Sequence, residues 1–230
     1  MDMFSALIAS FRQIAETGGP VVVVLMGVAV LTLAVAIYKV WQFWRSAVGR
    51  HKALTEAVEA WDRGDKPAAR EALGRSKSYL APVIKMAMVS NGKGNGAGVE
   101  RLQAEAETRF AKLETGFRLL DSVAQLAPLL GLFGTVLGMI EAFRSLQAAG
   151  SQVDPSILAG GIWVALLTTA VGLVVAMPTA LILSWLEQRM EAERVIADKA
   201  ILTVLNPSND VPAPAAATSA PTPEMVAAHG

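Results

Sequence analysis

Thr135, Thr168 and Thr169 are hydroxyls that stand in otherwise apolar sequence. Thr135 lies in the run Gly131-Leu-Phe-Gly134-Thr-Val-Leu-Gly138, and the other two in Ala165-Leu-Leu-Thr-Thr-Ala-Val-Gly172. A threonine hydroxyl both donates and accepts a hydrogen bond, so in hydrocarbon it can hold water or relay a proton. It can also bond the carbonyl one turn back and do nothing more. Spacing sharpens the choice without closing it. At 100° per residue, Gly131, Thr135 and Gly138 fall within about 60° of one another, with Gly134 at the intervening turn and Pro128 on the neighbouring strip. Gly161, Ala165, Thr168, Thr169, Gly172, Ala176 and Thr179 form a second small-residue stripe, and Ile162, Leu167, Val171 and Leu181 supply bulk opposite it. Such stripes allow close helix approach. Two of them, each carrying hydroxyls, fit either a shared polar interior or packing alone.

The elements that position these residues are membrane spans. Thr17–Tyr38, Ser122–Ile140 and Pro155–Leu186 contain no charged residue over 22, 19 and 32 positions. A hydrocarbon core of about 30 Å takes about 20 apolar residues of helix. The expected fold is therefore an all-α membrane protein with three transmembrane helices. Its expected segments are an amphipathic stretch 1–16, a first span 17–44, a helical loop 45–118, a second span 119–146, a third span 155–186, a helix 187–205 and a disordered tail 206–230. Met3, Phe4, Leu7, Ile8, Phe11 and Ile14 share one helical face and predict a surface helix over residues 3–15; a frayed terminus is the alternative. The first apolar run follows Gly18-Gly19-Pro20 without a basic region and is longer than a secretory h-region, so it reads as a retained span.

Orientation follows from basic residues. Arg45–Arg118 holds 14 of the 20 Lys and Arg residues. The positive-inside rule puts that loop and the C-terminus in the cytoplasm, and the N-terminus and the 141–154 turn outside. Tyr38, Trp41, Trp44 and Trp185 fit an interfacial belt at the inner ends of spans one and three.

Within the loop, Leu54, Val58 and Trp61 give an apolar helical stripe. Gly64 interrupts it, and Asp65 can cap a new helix with Pro67 in its first turn. Asn91–Gly98, with four glycines, reads as a flexible turn. From Val99 the pattern predicts one helix running to about Leu146, and the third span is expected to continue as a charged helix to Leu205. The second and third helices thus extend into the cytoplasm.

Several functions are excluded or unsupported. The net charge is zero, which gives no reason to expect nucleic acid. There is no cysteine, and the only histidines, His51 and His229, lie in different regions, so neither a thiolate nor a zinc site is expected. No cofactor motif, nucleophile elbow or phosphate loop is present, and no enzymatic activity is expected. Asp121 and Glu141 stand at span boundaries and read as helix-end charges, Asp121 within reach of Arg118. A proton relay needs an intramembrane ionisable group, and the spans contain none, so a partner would have to supply it.

The run Ala127-Pro128-Leu129-Leu130-Gly131-Leu132-Phe133-Gly134-Thr135-Val136-Leu137-Gly138-Met139 resembles the second-span signature of the ExbB/TolQ/MotA family. Ala165–Leu173, followed by Ala176-Met177-Pro178, resembles its third-span signature. The resemblance covers about residues 1–205 and is closest to ExbB and TolQ. It implies a subunit of the bacterial inner membrane, a homopentamer whose second and third spans line a pore. A single-span partner of the ExbD/TolR type would carry the proton-binding Asp inside the ring, and proton motive force would reach TonB- or TolA-like proteins. By position, Thr135 and Thr169 would face that Asp, with Thr168 adjacent, while Pro128, Gly131, Gly134, Gly138, Gly161, Gly172 and Pro178 would pack the helices. Many ExbB and TolQ members carry Glu five residues before the third-span Thr; here that position is Val164. A passive channel or a scaffold would need no such partner.

Overall fold

The computed structural model describes residues 2–90, 96–148 and 155–208. These residues form seven α-helices: α1 Asp2–Arg45, α2 Lys52–Asp62, α3 Lys66–Arg75, α4 Ala81–Val89, α5 Gly96–Glu114, α6 Phe117–Ala148 and α7 Pro155–Leu205. Three stretches are long and apolar enough to cross a bilayer: Gly19–Arg45, Phe117–Ala148 and Leu158–Leu205, of 27, 32 and 48 residues. The last exceeds any bilayer at 1.5 Å per residue, so α7 must continue outside it. Its polar portion begins at Glu187.

Local chemistry sets the breaks. Gly19 has φ of +70°, a conformation that costs glycine little, and Pro20 follows at the start of the span. The side chains of residues 2–18, which would carry the expected amphipathic face, lie outside the described residues. Asp65 caps α3 by accepting from the Ala68 amide at 3.1 Å, with Pro67 in the first turn. Gly96 to Gly98, expected in a turn, instead begin α5, while residues 91–95 lie outside the described part. The tail from 209 onward and positions 149–154 of the expected outer turn also lie outside it.

The single helix expected from Val99 to Leu146 is two helices. Gly116 takes φ of +94° and separates α5 from α6. Lys39 of α1 sits on the joint. Its ammonium is buried, donates to the Leu113 carbonyl at 3.1 Å and to Gln42 Oε1 at 2.7 Å, and lies 6.0 Å from the Phe117 ring centroid. A cation at the last turn of α5 satisfies a carbonyl and opposes the negative end of the helix dipole. The pattern of apolar residues runs through the joint unbroken, so periodicity alone could not reveal it.

Outside the apolar spans, α2, α4 and α5 pack on the polar end of α7, and α3 packs on α2. One core joins Leu54 and Trp61, Ala69 and Leu73, Val83 and Ile84, Leu102 and Phe110, and Met190, Ile201 and Val204. Trp61 Nε1 donates to the Val204 carbonyl at 3.0 Å, and Ser208 closes on Asp62 through both its amide and its hydroxyl. Those bonds hold the Asp62 carboxyl below its usual range.

Candidate functional site

α6 and α7 are antiparallel and in backbone-to-backbone contact. A Cβ added to Gly131 would come within 2.9 Å of the Thr168 carbonyl oxygen, and one on Gly172 within 2.6 Å of the Ala127 carbonyl oxygen. On Gly134 it would meet the Thr168 hydroxyl at 2.6 Å, and on Gly138 the Ala165 Cβ at 3.0 Å. Gly161 lies against Ala142 in the same way. Pro128 and Pro178 are inside α6 and α7, which both continue past them. The two small-residue stripes therefore face each other within one chain, and most of their area is consumed there.

This contact sorts the three threonines. Thr168 is 2% exposed, and its hydroxyl points its one proton between the Ala165 carbonyl at 2.7 Å and the Gly131 carbonyl at 3.0 Å. It ties α7 to α6. Thr135 is half-buried at the edge of the same face and donates to the Leu132 carbonyl at 2.6 Å. Thr169 differs. It is turned 100° from Thr168 around α7. Its hydroxyl oxygen is buried and has no hydrogen-bond partner among the described residues. A buried hydroxyl without a partner costs roughly 1–3 kcal/mol, so such groups call for a water, an ion or a further chain. Thr179, grouped with these residues by spacing, bonds its own Val175 carbonyl at 2.7 Å. Val164 is half-buried and brings no polar atom.

The sorting makes a prediction for Thr168→Val. Only the hydroxyl is lost, so the expected cost is about 1 kcal/mol of α6–α7 stability, read as a few degrees in thermal unfolding. A change beyond 3 kcal/mol would show that the hydroxyl does more than join two helices.

A second polar cluster escaped the sequence reading. Glu193 of α7 is 1% exposed and accepts from His51 Nε2 at 2.8 Å and from the Tyr79 hydroxyl at 2.7 Å. Facing an ionised Glu193 carboxylate, His51 Nε2 acts as the donor, and the Gly49 amide also lies 3.2 Å from the same nitrogen. Burial alone would raise the Glu193 carboxyl; the hydrogen bonds from His51 and Tyr79 outweigh it and hold the carboxyl below its usual range. The Tyr79 phenol is pushed well above its usual range by burial first and by Glu193 second. The available signal was a lone acid on the apolar stripe Leu186, Met190, Ala197, Ile201 and Val204 of α7. Asp121, at the base of α6, accepts from Gln125 at 2.7 Å.

Together these helices define a multi-pass membrane protein with a close-packed, hydroxyl-bearing pair of inner spans. Residues 73–198, more than half of the chain, match the MotA/TolQ/ExbB proton channel family. The chain belongs to that family. It is 46% identical over 67 residues to biopolymer transport protein exbB1 of Vibrio cholerae, covering 29% of each chain. It is 32% identical over 169 residues to putative biopolymer transport protein ExbB-like 1 of Synechocystis, covering 69% of this chain and 63% of the relative. It is 40% identical over 80 residues to Tol-Pal system protein TolQ of Haemophilus influenzae, covering 35% of each. The matches thus span less than two thirds of the length of these relatives. ExbB and TolQ relatives both match, which leaves those two roles unseparated. Membership and the three apolar helices support a multi-pass inner-membrane protein.

Proposed function

We propose that the chain is the ring-forming subunit of a proton-driven motor that works with an ExbD/TolR-like single-span partner to energise TonB-dependent outer-membrane transport. The observation that carries the reading is the Thr169 hydroxyl, buried beside the α6–α7 contact with no partner among the described residues. The spans themselves hold no Asp, Glu, His, Lys or Arg between Ser122 and Ile140 or between Pro155 and Leu186. The titrating group therefore comes from elsewhere, and a carboxylate on a single-span helix inside a homopentamer would meet Thr169, a half-buried residue whose hydroxyl turns outward from under the chain's own atoms to reach it. Thr135, at the edge of the same face, supplies a second hydroxyl. Val164, where relatives of this kind often carry Glu, leaves the threonines and water as the chain's own polar path.

In this reading the loop and the C-terminus are cytoplasmic and the N-terminus is periplasmic. A proton moving down 100 mV releases about 2.3 kcal/mol. Protonation removes the charge from the partner's carboxylate, which then passes the threonine ring, and the ring steps relative to the partner. A Tol-Pal role with a TolR-like partner and a TolA-like load is the second reading, favoured by the match to TolQ.

Proton flux in proteoliposomes tests the proposal. Flux is expected only when the ring is co-purified with its single-span partner. Equal flux from the ring alone would make it a channel. The absence of flux from the complete assembly with its load engaged would leave a scaffold.

A further inference from the structure

The inner end of the first span carries a groove that the proton path does not use. It has a volume of about 490 Å³ and is lined by Leu33, Ile37, Val40, Trp41 and Trp44 of α1 with Ile182 of α7. Leu33 and Trp44 are eleven positions apart, about 16 Å along a helix, which is the hydrocarbon depth of one leaflet. Its walls are open to the surroundings: Ile37 is 61% exposed and Trp44 80%. The groove is apolar along this length, and its end is cationic. The Arg45 guanidinium lies 5.5 Å from the Trp41 ring centroid and makes no ion pair among the described residues. A Cβ added to Gly49 would fall on the Arg189 guanidinium, so a second cation stands beside the segment that follows α1. No acidic residue occurs between Glu16 and Glu56 in the sequence, and the carboxylate that reaches the segment after α1, Glu193, is taken up by His51, Tyr79 and the Gly49 amide. Glu187 of α7 lines a different cleft, beside Glu114 and Arg118.

We propose that this groove holds one anionic membrane phospholipid, with an acyl chain against Leu33, Ile37 and Ile182 and its phosphate on Arg45. The Trp41 ring holds the Arg45 guanidinium within cation–π distance, and a planar guanidinium binds a phosphate in a forked geometry. The indole rings of Trp41 and Trp44 suit the boundary between chains and headgroups. The inference requires the chain to be in a bilayer and is independent of the proton path.

The absence of cysteine allows a single reporter. Ala34→Cys, exposed beside the groove, is labelled with bimane and the full chain is reconstituted in phosphatidylcholine vesicles. Nitroxide-labelled phosphatidylglycerol and nitroxide-labelled phosphatidylcholine are then compared as quenchers at equal mole fraction. A basic residue at the membrane surface favours an anionic lipid by about fivefold, so phosphatidylglycerol is expected to show about fivefold stronger relative association. Arg45→Gln is expected to equalise the two lipids while leaving quenching by phosphatidylcholine unchanged, which also shows that the groove remains formed. Equal quenching in the unmodified background would overturn the assignment. Weak quenching by both lipids would also overturn it, because a second copy of the chain would then cover the groove.

Discussion

Replacing Gly172 by valine is expected to unfold the α6–α7 pair at temperatures the native chain tolerates. Even the first added carbon would stand 2.6 Å from the Ala127 carbonyl oxygen, with the Gly131 backbone at 3.2 Å. These are backbone atoms of a continuous helix and cannot rotate aside, so the helices must separate. Separation removes the seating of Gly131, Gly134, Gly138 and Gly161 along the same contact, and with it the Thr168 hydrogen bond to Gly131. Overpacking of this kind costs about 3 kcal/mol or more, and association inside a bilayer has little but packing to resist it. Gly27→Ala is the matched control, because nothing lies within 4 Å of its added carbon. Thermal unfolding monitored by size exclusion should place Gly27→Ala with the native chain and Gly172→Val far below it. Equal stability of the two variants would contradict the helix register.

Glu193→Leu is expected to loosen the helical bundle outside the membrane. The substitution is close in volume, and it strips the acceptor from two buried donors, His51 Nε2 and the Tyr79 hydroxyl. Each orphaned donor costs roughly 1–3 kcal/mol, and removing one side of a buried polar cluster is worse than replacing it whole. The expected loss is about 3 kcal/mol. Limited proteolysis of the loop between α1 and α5 is the sensitive assay, since His51 and Tyr79 pin that loop to α7. The lowered Glu193 carboxyl adds a pH signature. A carboxyl held below its unfolded value stabilises the fold fully above the usual carboxylate range and loses that contribution as pH falls through the lowered value. Acidification should therefore sensitise the native chain to protease and change the Glu193→Leu variant far less. Equal acid sensitivity in both would remove Glu193 from the account.

The spans, the helical loop, the Asp65 cap and the charged extension of α7 were legible because each rests on local composition or spacing. Hydrophobic length fixes a span whatever its neighbours do, and a cap is a matter of a few residues. The joint at Gly116 was not legible. Phe110, Leu113, Phe117 and Leu120 keep helical spacing across it, and Lys39, which caps the joint, is 74 positions from its acceptor Leu113. The small-residue stripes were visible in the sequence, but their use was not. Thr168 and Thr169 are adjacent and of one type. Only the register between α6 and α7 shows that one hydroxyl is committed to Gly131 and the other is left without a partner among the described residues. The His51, Tyr79 and Glu193 cluster joins three distant segments, and a histidine weighed only as a metal ligand gave no hint of it.

Thr169, and not its neighbour, is the residue proposed to meet the moving proton carrier. That assignment is tested most directly by proton flux through the ring and its single-span partner in proteoliposomes, with Thr169→Val and Thr168→Val compared at equal assembled protein. Thr169→Val is expected to abolish partner-dependent flux while the assembly remains intact, and Thr168→Val to keep most of the flux and lose only a little stability. Full flux through Thr169→Val, or loss confined to Thr168→Val, would contradict the assignment.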